Sequence, residues 1–317
     1  MKRNIYSYSK LWMILFVLMG AACTNQVEDA IPVSGQSIGF SVQSDWKEIP
    51  NTRSDDGKTQ FVKDDVIQIF GFHTSYPNGV ETVQKFMYRE DGSNRGQIVT
   101  YNGTSWNYSP KRFWPKEGNL EFYASYPQNS IYNDADNRMM IYEQTANSMK
   151  QDDLLWGIST KNDCASDARK KNVDITMKHA LAKVNIFIDK SLNYIGTVMF
   201  SAYNAGRFTE TDTDGIPKWE FNNDDKMPSH VEFGYNDLIR DDFGTSLTVF
   251  ILPGKITEFQ MFDVPGNKIE ASTEISNRIK NLTFDAGKAY NLKISSTGVQ
   301  KNTKSRSIAM SVRCVSE

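Results

Sequence analysis

The sequence predicts an all-β protein, built as two tandem β-sandwich domains. Three observations carry this. Short apolar runs with period-two alternation recur along the chain, with Gly, Pro, Asn and Asp turn signals between them. Aromatic residues are plentiful, with 18 Phe, 14 Tyr and 6 Trp, as in strand-rich chains. Amphipathic helical windows are scarce, with Ser272 to Leu282 the one short candidate.

Ahead of the first strand the chain carries an export signal. Lys2, Arg3 and Lys10 flank or precede an apolar run, Leu11 to Ala22, that is too short to span a bilayer as a helix and ends in small residues. Residues 1–22 therefore read as a secretory signal. Cys23 follows directly and resembles the acylated cysteine of a bacterial lipobox, although Gly20 stands where that pattern usually has leucine. Two or more acyl chains on Cys23 would anchor stably, because a single chain binds only marginally. The other reading is a soluble exported protein cleaved after Ala22.

Within the tether 23–53, one piece alternates as a half-buried strand does: Ile38, Phe40 and Val42 are interleaved with small or polar residues. Asn51 to Gly57 reads as an exposed loop. Strands are then expected over Val66–Phe72 and Val83–Tyr88, with turns at Pro77-Asn78-Gly79 and Asp91-Gly92. The aromatic stretch Trp106–Pro115 leads into Leu120–Pro127, which carries bulky groups at odd and even positions and is expected to be buried on at least one face. Residues 129–171 are polar and loop-rich apart from the apolar island Asp153–Ile158.

A second strand-rich block starts at Val173, so the first sandwich is placed at 54–172 and the second at 173–298. Its strands are expected over Val173–Ile188, Val198–Tyr203, Leu247–Pro253, Glu258–Asp263 and Tyr290–Ile294. The tail 299–317 reads as a polar tether ending in a strand-competent piece, with Ile308, Met310, Val312 and Cys314 on one face.

Lys plus Arg total 36 against 38 Asp plus Glu, and no basic block exceeds three residues, so there is no electrostatic footprint for nucleic acid. With Cys23 lipidated, Cys164 and Cys314 are left. One pair so far apart is no disulfide framework, and thiols are expected.

Catalytic motifs fare poorly. Gly35-Gln-Ser-Ile-Gly39 matches the letters of a nucleophile elbow but lacks the following helix that would expose its serine. Glu210 to Gly215 has oxygen ligands at alternate positions, but Phe221 stands where a calcium loop needs its bidentate glutamate, so a hairpin turn at Asp214-Gly215 is expected. The five Asp-Asp pairs, at 55–56, 64–65, 152–153, 224–225 and 241–242, are dispersed in turn-like surroundings. His73, His179 and His230 lack metal-ligand spacing, and His179 reads as a core histidine held by a hydrogen bond. No enzyme, metal or cofactor is expected. The aromatics of 106–126 raise one rival reading, a surface lipoprotein that binds a host glycan or protein through exposed rings.

Ile38-Gly-Phe40, Thr52-Arg53, Asp65–Gly71, Trp106–Tyr108, Phe113–Pro115, Leu120–Pro127, Asp152–Leu155, Met177–Val184, Leu252-Pro253 and Ala286–Tyr290 occur in an order and spacing that resemble the fimbrillin family. These are type V pilin-like surface proteins of anaerobic Gram-negative bacteria. The resemblance implies two transthyretin-like β-sandwiches on a lipoprotein precursor held at the cell outer membrane through Cys23 and exposed at the surface. It also implies cleavage after Arg53, loss of the strand carrying Ile38, Phe40 and Val42, and filling of the vacated groove by a strand from a neighbouring pilin subunit. The segment Ile308–Cys314 is the candidate donor. The alternative is that both strands stay paired within their own chain, as suits an anchoring or accessory subunit.

Overall fold

In the computed structural model, which describes residues 33–45, 60–134, 138–145, 149–150, 153–165, 172–192, 194–221 and 229–305, the regular secondary structure is almost wholly strand. The N-terminal piece forms β1 (Val33–Ser37) and β2 (Phe40–Ser44), broken at Ile38 and Gly39. β3 (Val66–Ser75) is buried along its whole interior, as a strand covered on both faces must be. β4 (Thr82–Met87), β5 (Gln97–Tyr101), β6 (Trp106–Asn107) and β7 (Phe113–Pro115) follow. Next come β8 (Asn119–Tyr126), β9 (Ile131–Asn133), β10 (Met140–Glu143), β11 (Leu155–Asp163) and β12 (Val173–His179).

One eight-stranded sheet runs in the order β2-β12-β11-β8-β3-β5-β6, with β4 also on β3, and β1 pairs separately with β7. The first core lies against this sheet: Ile67, Ile69, Leu120, Phe122, Val173, Ile175 and Met177 pack with Ile38, Phe40, Val42, Trp106 and Trp114.

The second half comprises β13 (Ala182–Asp189), β14 (Ile195–Ala202), β15 (Ala205–Phe208), β16 (Ser229–Phe233) and β17 (Ile239–Asp241). β18 (Gly244–Ile251), β19 (Glu258–Asp263), helix α1 (Ser272–Ile279), β20 (Lys288–Ser295) and β21 (Gly298–Ser305) complete it. Two sheets, β17-β18-β13-β20-β21 and β16-β14-β19, enclose a second core that includes Val184, Ile186, Phe200, Val249, Phe259 and Leu292. The helix lies over β19: Ile275 and Ile279 are buried, while the Ser272 and Ser276 hydroxyls accept from the backbone N–H of Met261 and Phe259. That covers a strand edge that would otherwise offer unpaired donors.

Three expectations are corrected. First, β12 belongs to the first sheet, so the change of sheet comes after His179 rather than near residue 172. The halves also share a third core, in which Phe70, Phe72 and Trp156 meet Phe208, Phe250 and Leu252, and β10 pairs with both β9 and β15. Second, the loop-rich reading of 129–171 misses β9, β10 and the polar end of β11. Gly157 lets β11 approach β12 closely, since a Cβ there would lie 2.7 Å from Ile175 Cγ2 and 2.9 Å from Thr176 O. Third, the start of the supposed polar tether is β21, paired with β20 over its full length. Its Lys301 ammonium sits 4.4 Å from the centre of the Tyr290 ring and 5.0 Å from that of Phe284, so a polar residue covers aromatic surface.

Candidate functional site

The site is the seat of the N-terminal strand. β2 is an edge strand whose ladder partner is β12, running parallel, with Phe40 opposite Val173 and Val42 opposite Ile175. The alternation puts three apolar side chains on the inner face, and Ile38, Phe40 and Val42 are 1%, 3% and 8% exposed. Burial of each contributes roughly 1.5–3 kcal/mol relative to leaving it in water. Phe40 makes edge-to-face contacts with Phe122 at 5.2 Å and Tyr108 at 5.8 Å between ring centres.

Backbone bonds fix the register at both ends. Val173 N donates to Gly39 O at 2.8 Å, and Asp45 N donates to Met177 O at 3.0 Å. At the break between β1 and β2, Ile38 N donates to Arg112 O at 2.9 Å and Tyr108 Oη donates to Ile38 O at 2.7 Å. Burial holds the Tyr108 phenol above its ordinary pKa, opposed by a hydrogen bond and the charge of Arg112, so it remains a neutral donor at physiological pH.

A charged latch closes the far end. Asp45 Oδ2 lies 3.4 Å from Lys178 Nζ, and Asp45 Oδ1 lies 3.9 Å from His179 Nε2. The other ring nitrogen of His179, itself buried, is 2.7 Å from Asp153 Oδ2. His179 lies in the core, as expected, and the group beside its ring is a carboxylate.

β12 depends on β2 to an unusual degree. Its ladder with β11 covers only Met177, Lys178 and His179, whereas its ladder with β2 runs from Val173 to Met177. Residues 173–176 thus have β2 as their strand partner among the described residues.

The structure brings Ile38, Phe40 and Val42 together on this seat. Cys23, Arg53, Ile308, Met310, Val312 and Cys314 lie outside the described residues. Sequence reading did not foresee the roles of Tyr108, Arg112 and Asp45, whose partners are distant or lie past the end of the alternation. The aromatic stretch turns inward: Trp106, Tyr108, Trp114 and Phe122 are buried, and Phe113 is its exposed large ring. These rings do not form the exposed platform that the glycan reading needs. Glu210 to Gly215 forms the expected hairpin, in which Gly215 takes a φ of 83° and Asp212 Oδ1 accepts from the N–H groups of Asp214 and Ile216. Cys164 is buried, with Sγ 3.9 Å from Asn162 O.

Among solved structures, a cell adhesion protein from Bacteroides uniformis, so described as a provisional assignment, aligns at 16% identity over 86% of this chain and 98% of its own, with a TM-score of 0.49. A fimbrial protein from Bacteroides vulgatus aligns at 17% identity over 86% and 100%, with a TM-score of 0.48. The tip fimbrial protein Mfa3 from Porphyromonas gingivalis, with a C-terminal truncation, aligns at 10% identity over 77% and 94%, with a TM-score of 0.42. No curated protein matches the chain. A family model described as fimbrillin-like matches residues 52–310, most of the sequence, so the chain belongs to the fimbrillin-like family and has the role of a fimbrial subunit.

Proposed function

We propose that the chain is a pilus subunit or accessory subunit, exported as a lipoprotein acylated at Cys23 and assembled by β-strand exchange in support of cell adhesion. Cleavage after Arg53 detaches both the lipid and residues 33–45. The vacated seat then takes a strand from a neighbouring subunit, for which the segment carrying Ile308, Met310, Val312 and Cys314 is the donor.

The observation that carries this reading is that β2 is an edge strand, yet it and the Ile38 just before it bury three alternating side chains in the first core. Its departure exposes Tyr108, Phe122, Val173, Ile175 and Met177 along an unpaired edge. Such a groove suits β-augmentation: main-chain bonds supply affinity and alternating side chains fill pockets. Before trimming, β2 keeps that edge covered and the subunit monomeric. The role is structural, and the proposal needs no catalytic group. Deleting residues 308–317 tests it: the variant is expected to fold, to be trimmed, and to stay out of fibres. Normal incorporation of that truncation would remove the donor role.

A further inference from the structure

Residues 310–317 copy the pattern of the strand that occupies the seat. Residues 38–45 read Ile-Gly-Phe-Ser-Val-Gln-Ser-Asp, and residues 310–317 read Met-Ser-Val-Arg-Cys-Val-Ser-Glu. Both place apolar groups at the first, third and fifth positions, serine at the seventh and a carboxylate at the eighth. The apolar alternation alone fits several registers two residues apart, because each such slip keeps the same face inward. The serine and the acid remove that degeneracy.

We infer that the donor strand of a second copy of this chain enters the seat parallel to β12 in one register, Met310 at the place of Ile38 and Glu317 at the place of Asp45, and that charge selects it. This rests on the strand-exchange reading above. In the native ladder Ser41 lies opposite Asp174, which is exposed, and Asp45 reaches Lys178 and His179. The same register sets Arg313 opposite Asp174 and hands Lys178 and His179 a carboxylate again, now from Glu317. A slip of two residues in either direction breaks both pairings: Arg313 then faces Asn172 or Thr176, and Glu317 no longer meets Lys178. The latch thus has two uses. It holds the first strand before trimming, and afterwards it reads Glu317 of the incoming one. Opposite charges across a ladder favour their own register and like charges penalise the others.

Cysteine cross-linking of the full chain, trimmed after Arg53 and carrying Cys314→Ser, tests the register. Subunits with Asp174→Cys are mixed with subunits carrying Arg313→Cys, and in a parallel trial with subunits carrying Ser311→Cys or Val315→Cys. Directly opposed strand positions lie within disulfide reach. The Arg313→Cys mixture is expected to give cross-linked dimers at least tenfold faster than either alternative. Glu317→Lys is expected to slow polymer growth by about tenfold, and Lys178→Glu in the accepting subunit to restore it. Polymer that cross-links through position 311 or 315 overturns the register while leaving strand exchange intact. Equal growth by Glu317→Lys overturns the charge selection. No cross-link in any mixture, with no polymer from the intact trimmed protein, overturns register and strand exchange together.

Discussion

Tyr108 Oη donates a 2.7 Å hydrogen bond to the main-chain oxygen of Ile38, 70 residues away in sequence, while its ring packs edge-on against Phe40. One side chain therefore clamps the N-terminal segment through both a polar and an apolar contact, independently of the β12 ladder. Under the proposed strand exchange the clamp belongs to the untrimmed state, because its partners would leave with residues 33–45.

Tyr108→Phe keeps the ring and strands the Ile38 carbonyl. It is expected to destabilise the untrimmed protein by about 1–3 kcal/mol in urea unfolding. In the trimmed monomer the same substitution should cost less than half as much, since that partner has gone. An equal cost in both forms would mean that the hydroxyl acts elsewhere.

Phe40→Ala removes the largest side chain from the seat. A loss of about 3–5 kcal/mol is expected. Because the segment is tied through β2, the loosened strand should also make limited proteolysis after Arg53 at least several-fold faster. A stability loss without faster cleavage would show that seat occupancy does not control trimming.

Much of this was legible in the chain and some was not, for physical reasons. Ile38, Phe40 and Val42 announce a half-buried strand, because alternation is local. Which strand they join is not local: β12 begins after residue 172, and parallel pairing carries no turn signal. β21 was missed because a strand that lays the Lys301 stem over Tyr290 and Phe284 looks polar in sequence. His179 was read correctly as a core histidine, but Asp45 and Asp153 could be matched to it only in three dimensions.

Hydrogen exchange should reveal the half-supported strand. In the untrimmed protein the Val173 and Ile175 amides are protected by β2. On trimming, the amides of Val173, Ile175 and Met177, which face β2, are expected to lose at least a hundredfold in protection, while those of Lys178 and Ala180, which face the β11 side, keep theirs. Polymerisation should restore the first set. Unchanged protection at Val173, Ile175 and Met177 after trimming would mean that another segment holds them.

Alkaline pH should act through buried phenols. Burial first, then the neighbouring carboxylates Glu143 and Asp285, pushes Tyr132 and Tyr290 up to about 12, and burial raises Tyr88 and Tyr123 further still. A raised folded pKa means the stabilisation is fully present below the unfolded value of about 10 and is lost as pH rises through the folded one. Tyrosinate absorbance at high pH should therefore show a cooperative rise from the buried phenols that coincides with loss of the β-sheet circular dichroism signal. Ionisation of Tyr88, Tyr123, Tyr132 and Tyr290 near pH 10 in a still-folded protein would contradict the buried assignments.

The most direct measurement is the intact mass and N-terminal sequence of the protein recovered from assembled fibres. A start at Ser54, with no lipid, is the predicted result, because the seat must be vacated before a neighbour's strand can enter it. A start at acylated Cys23 within the fibre would contradict that account, since Ile38, Phe40 and Val42 would still fill the groove.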